Sequence, residues 1–351
     1  MLWIEKYKPK SFSEITTHKE VVSMLDKYTL ETIPNMIFHG QIGHNKRTIL
    51  YALISHLYGS YPSPTTKNIE VEAGSLKVMV DYLECNEMVE FCPSEYGYKD
   101  RYVVQSIIKE IARCRPILGL FGAKRRSVKI LVIDQAEDLS KDAQAALRRT
   151  MEMYSGHFKI IMVCTETSKL IEPIRSRCMM VRIRGFRNDE MFRICSNIAK
   201  IEGFGVDKDA IDSICKNSKG NGKRALCLFE LYCFNHLLDD KKRQKTDYSQ
   251  IRLEWELKTA SIVDKIKRSP RPETMIEIRK DLYSLLNSLI PPSIILAQML
   301  KELSMKCSLE VCKSLSIFAL GYEERIRLGT KPLYHLEAFA ASAMLVLSQR
   351  K

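Results

Sequence analysis

Apolar and polar positions fall into two regimes along this chain. Up to about Gly185, short unbroken apolar runs alternate with longer stretches of helical spacing. Met36-Ile37-Phe38 is the first run, Val128 to Ile133 the second and Lys159 to Cys164 the third. A run with no polar alternation suits a strand buried on both faces. Thr48 to Leu57, between the first two, repeats apolar residues at helical spacing. Strands alternating with helices predict a parallel sheet covered on both sides. Beyond Gly185 only the helical period remains, over Asp189 to Ile201, Asp207 to Cys215 and Gly222 to Leu238. Asp239 to Lys245 is charged with no apolar face, which predicts a linker or solvated turn. Met275, Ile278, Leu282, Leu285 and Leu289 then form an apolar stripe that Pro291-Pro292 ends. The pattern divides the chain into an α/β domain over 1–187, a small helical domain over 188–238 and a larger helical domain over 239–351. No repeat of about 20–50 residues stands out.

Composition narrows the class. The chain has 351 residues, enough for two or three domains of about 150 residues each. Its 45% hydrophobic and 28% charged content is that of a globular protein, not a disordered or collagen-like one. No apolar run reaches the roughly 18 residues of a membrane span. The N-terminal Met1-Leu2-Trp3-Ile4-Glu5-Lys6 lacks an apolar signal region, so secretion is not expected. The 11 cysteines contain no Cys-x-x-Cys pair, and no His-Glu-x-x-His occurs. That excludes a zinc ribbon and a zincin and favours reduced thiols. A net charge of +13 favours an anionic partner, nucleic acid being the commonest.

Candidate chemistry begins where the first strand hands over to a helix. Gly40-Gln41-Ile42-Gly43-His44-Asn45-Lys46-Arg47 follows the spacing of a phosphate-binding loop, whose backbone N–H groups surround phosphates that the lysine neutralises. Asn45 stands where a second glycine is usual, and Asn tolerates the left-handed backbone such a loop needs. Arg47 stands where a hydroxyl would hold Mg²⁺, and Thr48 lies about a hundred degrees further round the helix. By spacing alone an ordinary strand-to-helix turn fits equally well. Lys129 to Asp134 adds an apolar strand ending in an acid, the form of a Walker B segment. The next position, where a Glu would polarise the attacking water, is Gln135. An amide cannot accept the proton, and losing a general base removes about 10²–10⁴-fold in rate. Arg47 is expected to reach Asp134 and the phosphates as a fixed cation.

Four segments bear a family resemblance. Leu2 to Pro9 resembles the Trp-x-x-Lys-Tyr-Arg-Pro box of eukaryotic clamp-loader small subunits. Lys141 to Glu152 is similar to the stretch after Walker B in replication factor C. Pro173 to Cys178 contains that family's Ser-Arg-Cys motif, and Tyr334 to Phe339 resembles its terminal small subunit. The resemblance implies an AAA+ domain with parallel sheet, a helical lid and an all-helical collar. It also implies a five-membered ring with other replication factor C subunits, which opens the sliding clamp PCNA and loads it onto primer-template DNA in the nucleus. By position, Tyr7 and Pro9 would lie near adenine. Gly40, Gly43, Asn45, Lys46, Arg47 and Thr48 would form the phosphate site, with Asp134 at the Walker B acid. Thr165 falls at the first sensor and Lys223, in Gly220 to Leu226, at the second. ATP or ADP would be bound without turnover, because these departures disfavour Mg²⁺ and hydrolysis. Arg177 would serve as a finger towards a neighbouring subunit's site.

Eight basic residues lie between Lys99 and Arg126, against Asp100 and Glu110. Arg101, Lys109 and Arg113 share one side of a helix, and the resemblance implies DNA contact there. Arg125 and Arg126 are left open, and Lys241-Lys242-Arg243 is expected to face solvent. Arg148 and Arg149 either relay DNA contact to the nucleotide site or solvate a helix. His157, His236 and His335 are expected to be structural. A DNA-stimulated ATPase active in its own right is the competing reading, against which Arg47 and Gln135 both count. A free-standing DNA-binding factor is the third.

Overall fold

Seven strands form one sheet in the order β2-β3-β4-β5-β6-β1-β7. They are β1 (Met36–His39), β2 (Thr65–Ala73), β3 (Leu76–Glu84), β4 (Met88–Phe91), β5 (Lys129–Ile133), β6 (Phe158–Cys164) and β7 (Met179–Arg182). The computed structural model describes the chain except residues 74–75, 94–98, 114–128, 154–157, 206, 239–251, 269–270, 306 and 349–351, and gives backbone alone at 72–73, 76–77, 110–113 and 235–238. From β4 to β7 every pairing is parallel, whereas β2 and β3 join as an antiparallel hairpin on the far edge.

The unbroken apolar runs are explained by two-sided burial. In β5, Leu131 and Ile133 face one core while Ile130 and Val132 face the other. In β6, Ile160 and Met162 alternate in the same way with Ile161 and Val163. Helix α3 (Lys46–Tyr58) covers one face with Ile49, Leu50, Leu53 and Ile54. Helices α4 (Asp100–Arg113) and α5 (Lys141–Met153) cover the other with Val103, Ile107, Leu147 and Met151. Each such side chain contributes about 1.5–3 kcal/mol of burial, so the strand ends that carry the site stand on a rigid floor. The reading of three strands was incomplete. β4 (Met-Val-Glu-Phe) and β2 are interrupted by charged or polar residues, while the three-residue apolar runs Val78-Met79-Val80 of β3 and Met179-Met180-Val181 of β7 were missed although the equally short run of β1 was read.

The chain forms two compact units, Met1–Ser249 and Gln250–Lys351. The first also holds short α1 (Trp3–Lys6), α2 (Lys19–Leu25) and α6 (Glu172–Arg175), then α7 (Asn188–Glu202), α8 (Lys208–Ser218) and α9 (Gly222–Leu238). Trp3 of α1 is buried against Phe204, Phe229 and Phe234, which fastens the N-terminal segment to the α7–α9 helices. The second unit comprises α10 (Glu254–Arg268), α11 (Pro272–Asn287), α12 (Pro292–Ser304), α13 (Leu309–Leu328) and α14 (Pro332–Ser348), around Ile278, Leu282, Leu285, Met299, Leu315 and Phe339. Leu289 departs from the expected stripe. Helix α11 stops at Asn287, and Leu289 is 90% exposed with a left-handed φ of 58°. The helix therefore ends before Pro291, in keeping with the restriction proline places on residues that precede it.

No described helix is long and apolar enough to cross a membrane. Among the described residues no group of three His, Cys, Asp or Glu side chains can hold a metal, and the ten described cysteines are free thiols. The charged 239–245 stretch, Arg125, Arg126 and His157 lie outside the described residues. So do the side chains of Arg113, at the end of α4, and His236, within α9; His335 is half-buried on α14.

Candidate functional site

The loop from Gly40 to Lys46 joins the end of β1 to α3, beside the ends of β6 and β7. Gly40 N–H donates to the Cys164 carbonyl of β6 at 3.3 Å, and buried His44 bonds the Ile183 carbonyl through Nδ1 at 3.3 Å. Gly43 has φ +83°, which strains any residue with a Cβ, and a Cβ there would lie 1.9 Å from Asn221 Oδ1 and push that side chain from its place. Asn45 adopts φ 59°, ψ 27°, the left-handed conformation expected of it in place of glycine. The free N–H groups of the first turn of α3, which includes half-buried Thr48, follow at once and suit an anion.

Lys46 folds back over this loop. Its ammonium donates to the Gly40 carbonyl and, at 3.4 Å, to that of Gln41. Burial lowers its pKa, opposed by Glu137, Cys164 and Asp134 nearby. Arg47 reaches across to the neighbouring strands, with Nη2 2.5 Å from Glu90 Oε1 and Nη1 3.6 Å from Asp134 Oδ2. Glu90, buried on β4, takes a second bond at 2.5 Å from the Tyr51 hydroxyl. Desolvation pushes the Glu90 carboxyl up, against the pull of Arg47. It also raises Tyr51, which keeps that hydroxyl a donor. Asp134 Oδ1 accepts the Gln135 N–H at 3.0 Å. Gln135 itself is exposed and left-handed, with φ 51°.

Thr165, beyond β6, is engaged with Glu137. Its hydroxyl donates to Glu137 Oε1 at 2.6 Å and its N–H to the same oxygen at 3.0 Å. Lys223 is exposed at the start of α9, while its neighbour Asn221 accepts the Arg224 N–H at 3.0 Å and so caps the helix. Gly222 N–H donates to the Gly43 carbonyl at 3.1 Å, which ties the helical layer to the loop. The Tyr7 hydroxyl donates to Glu202 at 2.6 Å, and half-buried Pro9 follows Lys8, whose ammonium lies 4.7 Å over the Tyr51 ring. The structure therefore brings Lys46, Arg47 and Asp134 together, with Tyr51, Glu90 and Glu137 added. Tyr51 carried no signal of its own. The only mark of Glu90 was an acid set within the short apolar run Met88-Val89-Glu90-Phe91.

Two further places bear on interactions. Arg101 and Lys109 of α4 line one groove of about 490 Å³ with Gln105, Asp142, Arg149 and Met153. Arg149 thus joins the pair, while Arg148 turns to Glu152 at 3.6 Å. Arg177, exposed after α6, donates to the Pro173 carbonyl at 2.9 Å and pairs with Glu152 at 2.7 Å.

The family model for the "Replication factor C subunit 3, C-terminal domain" matches residues 255–351, and that for "DNA polymerase III, delta subunit" matches 34–187. Replication factor C subunit 5 of Oryza sativa subsp. japonica is 34% identical, over 99% of this chain and 98% of its own length. The chain belongs to the replication factor C subunit 3/5 family. Replication factor C subunit 3 of Arabidopsis thaliana is 33% identical over 99% of this chain and 97% of its own. The human subunit 3 is 31% identical over 98% and 95%. Among solved structures, the Thermotoga maritima RuvB Holliday junction branch migration motor matches with TM-score 0.50 at 16% identity, over 81% of this chain and 85% of that one. That likeness shows the fold alone, a largely parallel sheet followed by helices.

Proposed function

We infer that this chain is a non-hydrolysing subunit of a clamp loader, which with other replication factor C subunits opens the sliding clamp PCNA and places it on primer-template DNA in the nucleus. Family membership supports the clamp-loading role and the hetero-oligomer. The observation that carries the non-hydrolysing part is the end of β5, where Asp134 is followed by Gln135 instead of a carboxylate. Two features add to it: the Thr165 hydroxyl is bonded to Glu137, and Arg47 is paired with Glu90. Nucleotide, ATP or ADP, is held between the 40–46 loop, Arg47, Thr48, Asp134 and Lys223, with Tyr7 and Pro9 towards the base. Residues 188–238 act as the lid and 239–351 as the collar that holds the ring.

Arg177 supplies a cation to the neighbouring subunit's site. Its exposure, and its orientation by Glu152 and the Pro173 carbonyl, support that role. Arg101, Lys109 and Arg113 contact DNA phosphates, which the shared groove of the first two supports. The test is ATP turnover by the purified chain with Mg²⁺ and primed DNA, for wild type and Gln135→Glu. Both should stay at background, because restoring the base leaves Arg47 in place. Turnover by the wild-type chain would return it to the ATPases.

A further inference from the structure

Nucleotide sites of this fold family use a divalent cation, held by the hydroxyl after the loop lysine and by the acid at the end of the next strand. The residues here do not fit that ion. Arg47 replaces the hydroxyl, and its guanidinium lies between two carboxylates, Glu90 at 2.5 Å and Asp134 at 3.6 Å. All four carboxylate oxygens are engaged. Glu90 gives one to Arg47 and one to Tyr51, and Asp134 gives one to Arg47 and one to the Gln135 N–H. The Glu90 side chain is 4% exposed, so its charge requires a permanent partner. The Arg47 side chain is 49% exposed, so it has surface left for a second anion. Arginine suits both duties, since its planar fork offers five donors and never loses its charge.

We propose that Arg47 is the resident cation of a two-carboxylate cradle built by Glu90 and Asp134, and that the chain's phosphate site works without a divalent metal. Glu90 and Tyr51 are positioning residues, which fix the guanidinium and touch no phosphate. The metal half of this inference stands on the cradle alone, and only the phosphate half rests on the nucleotide-binding reading.

Two measurements on the full-length chain separate the halves. In the first, Mn²⁺ is titrated without nucleotide and free ion is followed by electron paramagnetic resonance. Wild type should show no site, whereas Arg47→Ala vacates the cradle and should gain one, which Arg47→Ala/Glu90→Gln loses. A wild-type Mn²⁺ site that Asp134→Asn abolishes would overturn the proposal, as would a folded Arg47→Ala chain that binds none. Should Arg47→Ala fail to fold, the wild-type titration still decides. In the second, affinity for a fluorescent ADP analogue is compared in EDTA and in Mg²⁺. Wild type should differ by less than about twofold, and Arg47→Ala should weaken at least about tenfold in EDTA and recover partly with Mg²⁺. Wild-type binding that disappears in EDTA refutes metal independence. Absence of binding in both buffers sinks the nucleotide reading, while the Mn²⁺ arm still judges the cradle.

Discussion

At the residue scale, two positions of the Gly40 to Lys46 loop illustrate different constraints. Asn45 accepts a left-handed backbone because its short polar side chain tolerates it, so the missing glycine does not break the loop. Gly43 has no such latitude. Its φ of +83° strains any L residue, and a methyl group would lie 1.9 Å from Asn221 Oδ1. Gly43→Ala should therefore lower stability by about 2–3 kcal/mol, read as a fall in the urea midpoint at constant slope. Gly59→Ala is the control, since it shares the left-handed backbone with nothing within 4 Å. An equal loss in both would mean that the contact with Asn221 adds nothing.

Glu190 supplies a second residue-scale prediction. It holds Arg184 with two bonds, at 2.6 and 2.9 Å, and accepts the Arg187 N–H at the start of α7. Those bonds, the one to Arg184 foremost, depress its pKa from 4.5 to about 2. A carboxylate held lower in the folded state stabilises fully above its unfolded pKa and loses that contribution as pH falls towards the folded value. The clamp should contribute about 1 kcal/mol above pH 4.5, discounted for its partial exposure, and fade between about pH 4.5 and 2. Glu190→Gln should flatten the stability profile across that window and match its wild-type parent at pH 2. A parallel profile at all pH values would remove Glu190 from the acid response.

At the element scale, α4 and α5 do double duty. Their apolar sides pack Ile107, Leu147 and Met151 onto the sheet, while Arg101, Lys109 and Arg149 line a common groove. Basic side chains on rigid, packed helices lose little freedom when they meet a phosphate backbone. For the assembled complex, Arg101→Glu with Lys109→Glu should weaken primed-DNA binding. Each lost phosphate contact should also reduce the slope of log affinity against log salt by about 0.9. Fluorescence anisotropy across a salt series measures both, and an unchanged slope would make the groove a solvated face.

At the scale of the whole molecule, a chain proposed not to hydrolyse ATP still keeps the sheet and the strand-to-helix loop. The proposed reason is Arg177, whose setting depends on α5, α6 and β7 remaining in register with the loop. A cation delivered across an interface to a transferring phosphate contributes about 10³–10⁵ in rate in the best-known cases. Arg177→Ala should leave the complex assembled by gel filtration yet lower DNA-stimulated ATP hydrolysis at the adjacent site at least about tenfold. Arg177→Lys should rescue it poorly, because lysine lacks the two-pronged geometry. Wild-type turnover by an intact mutant complex would end this assignment.

Much of this protein was legible in its order of residues. Unbroken apolar runs announced strands buried on both faces, and the spacing from Gly40 to Lys46 marked the loop. Arg47 and Gln135 stood out as departures from the usual residues, because these signals reside in residue type and local period. The edge hairpin and β4 escaped because charged residues interrupt their apolar positions, and β7 because, unlike β1, its short run is not followed by a glycine loop that marks a strand end. Leu289 misled for a related reason: a stripe records spacing, and cannot register a backbone that has already left the helix. Only the tertiary structure decided which acid Arg47 would meet. Glu90 lies 43 residues further on, brought within 2.5 Å because β4 pairs in parallel beside β5. Side chains that far apart in sequence become partners through strand order, and strand order is set by how the whole sheet buries its two faces.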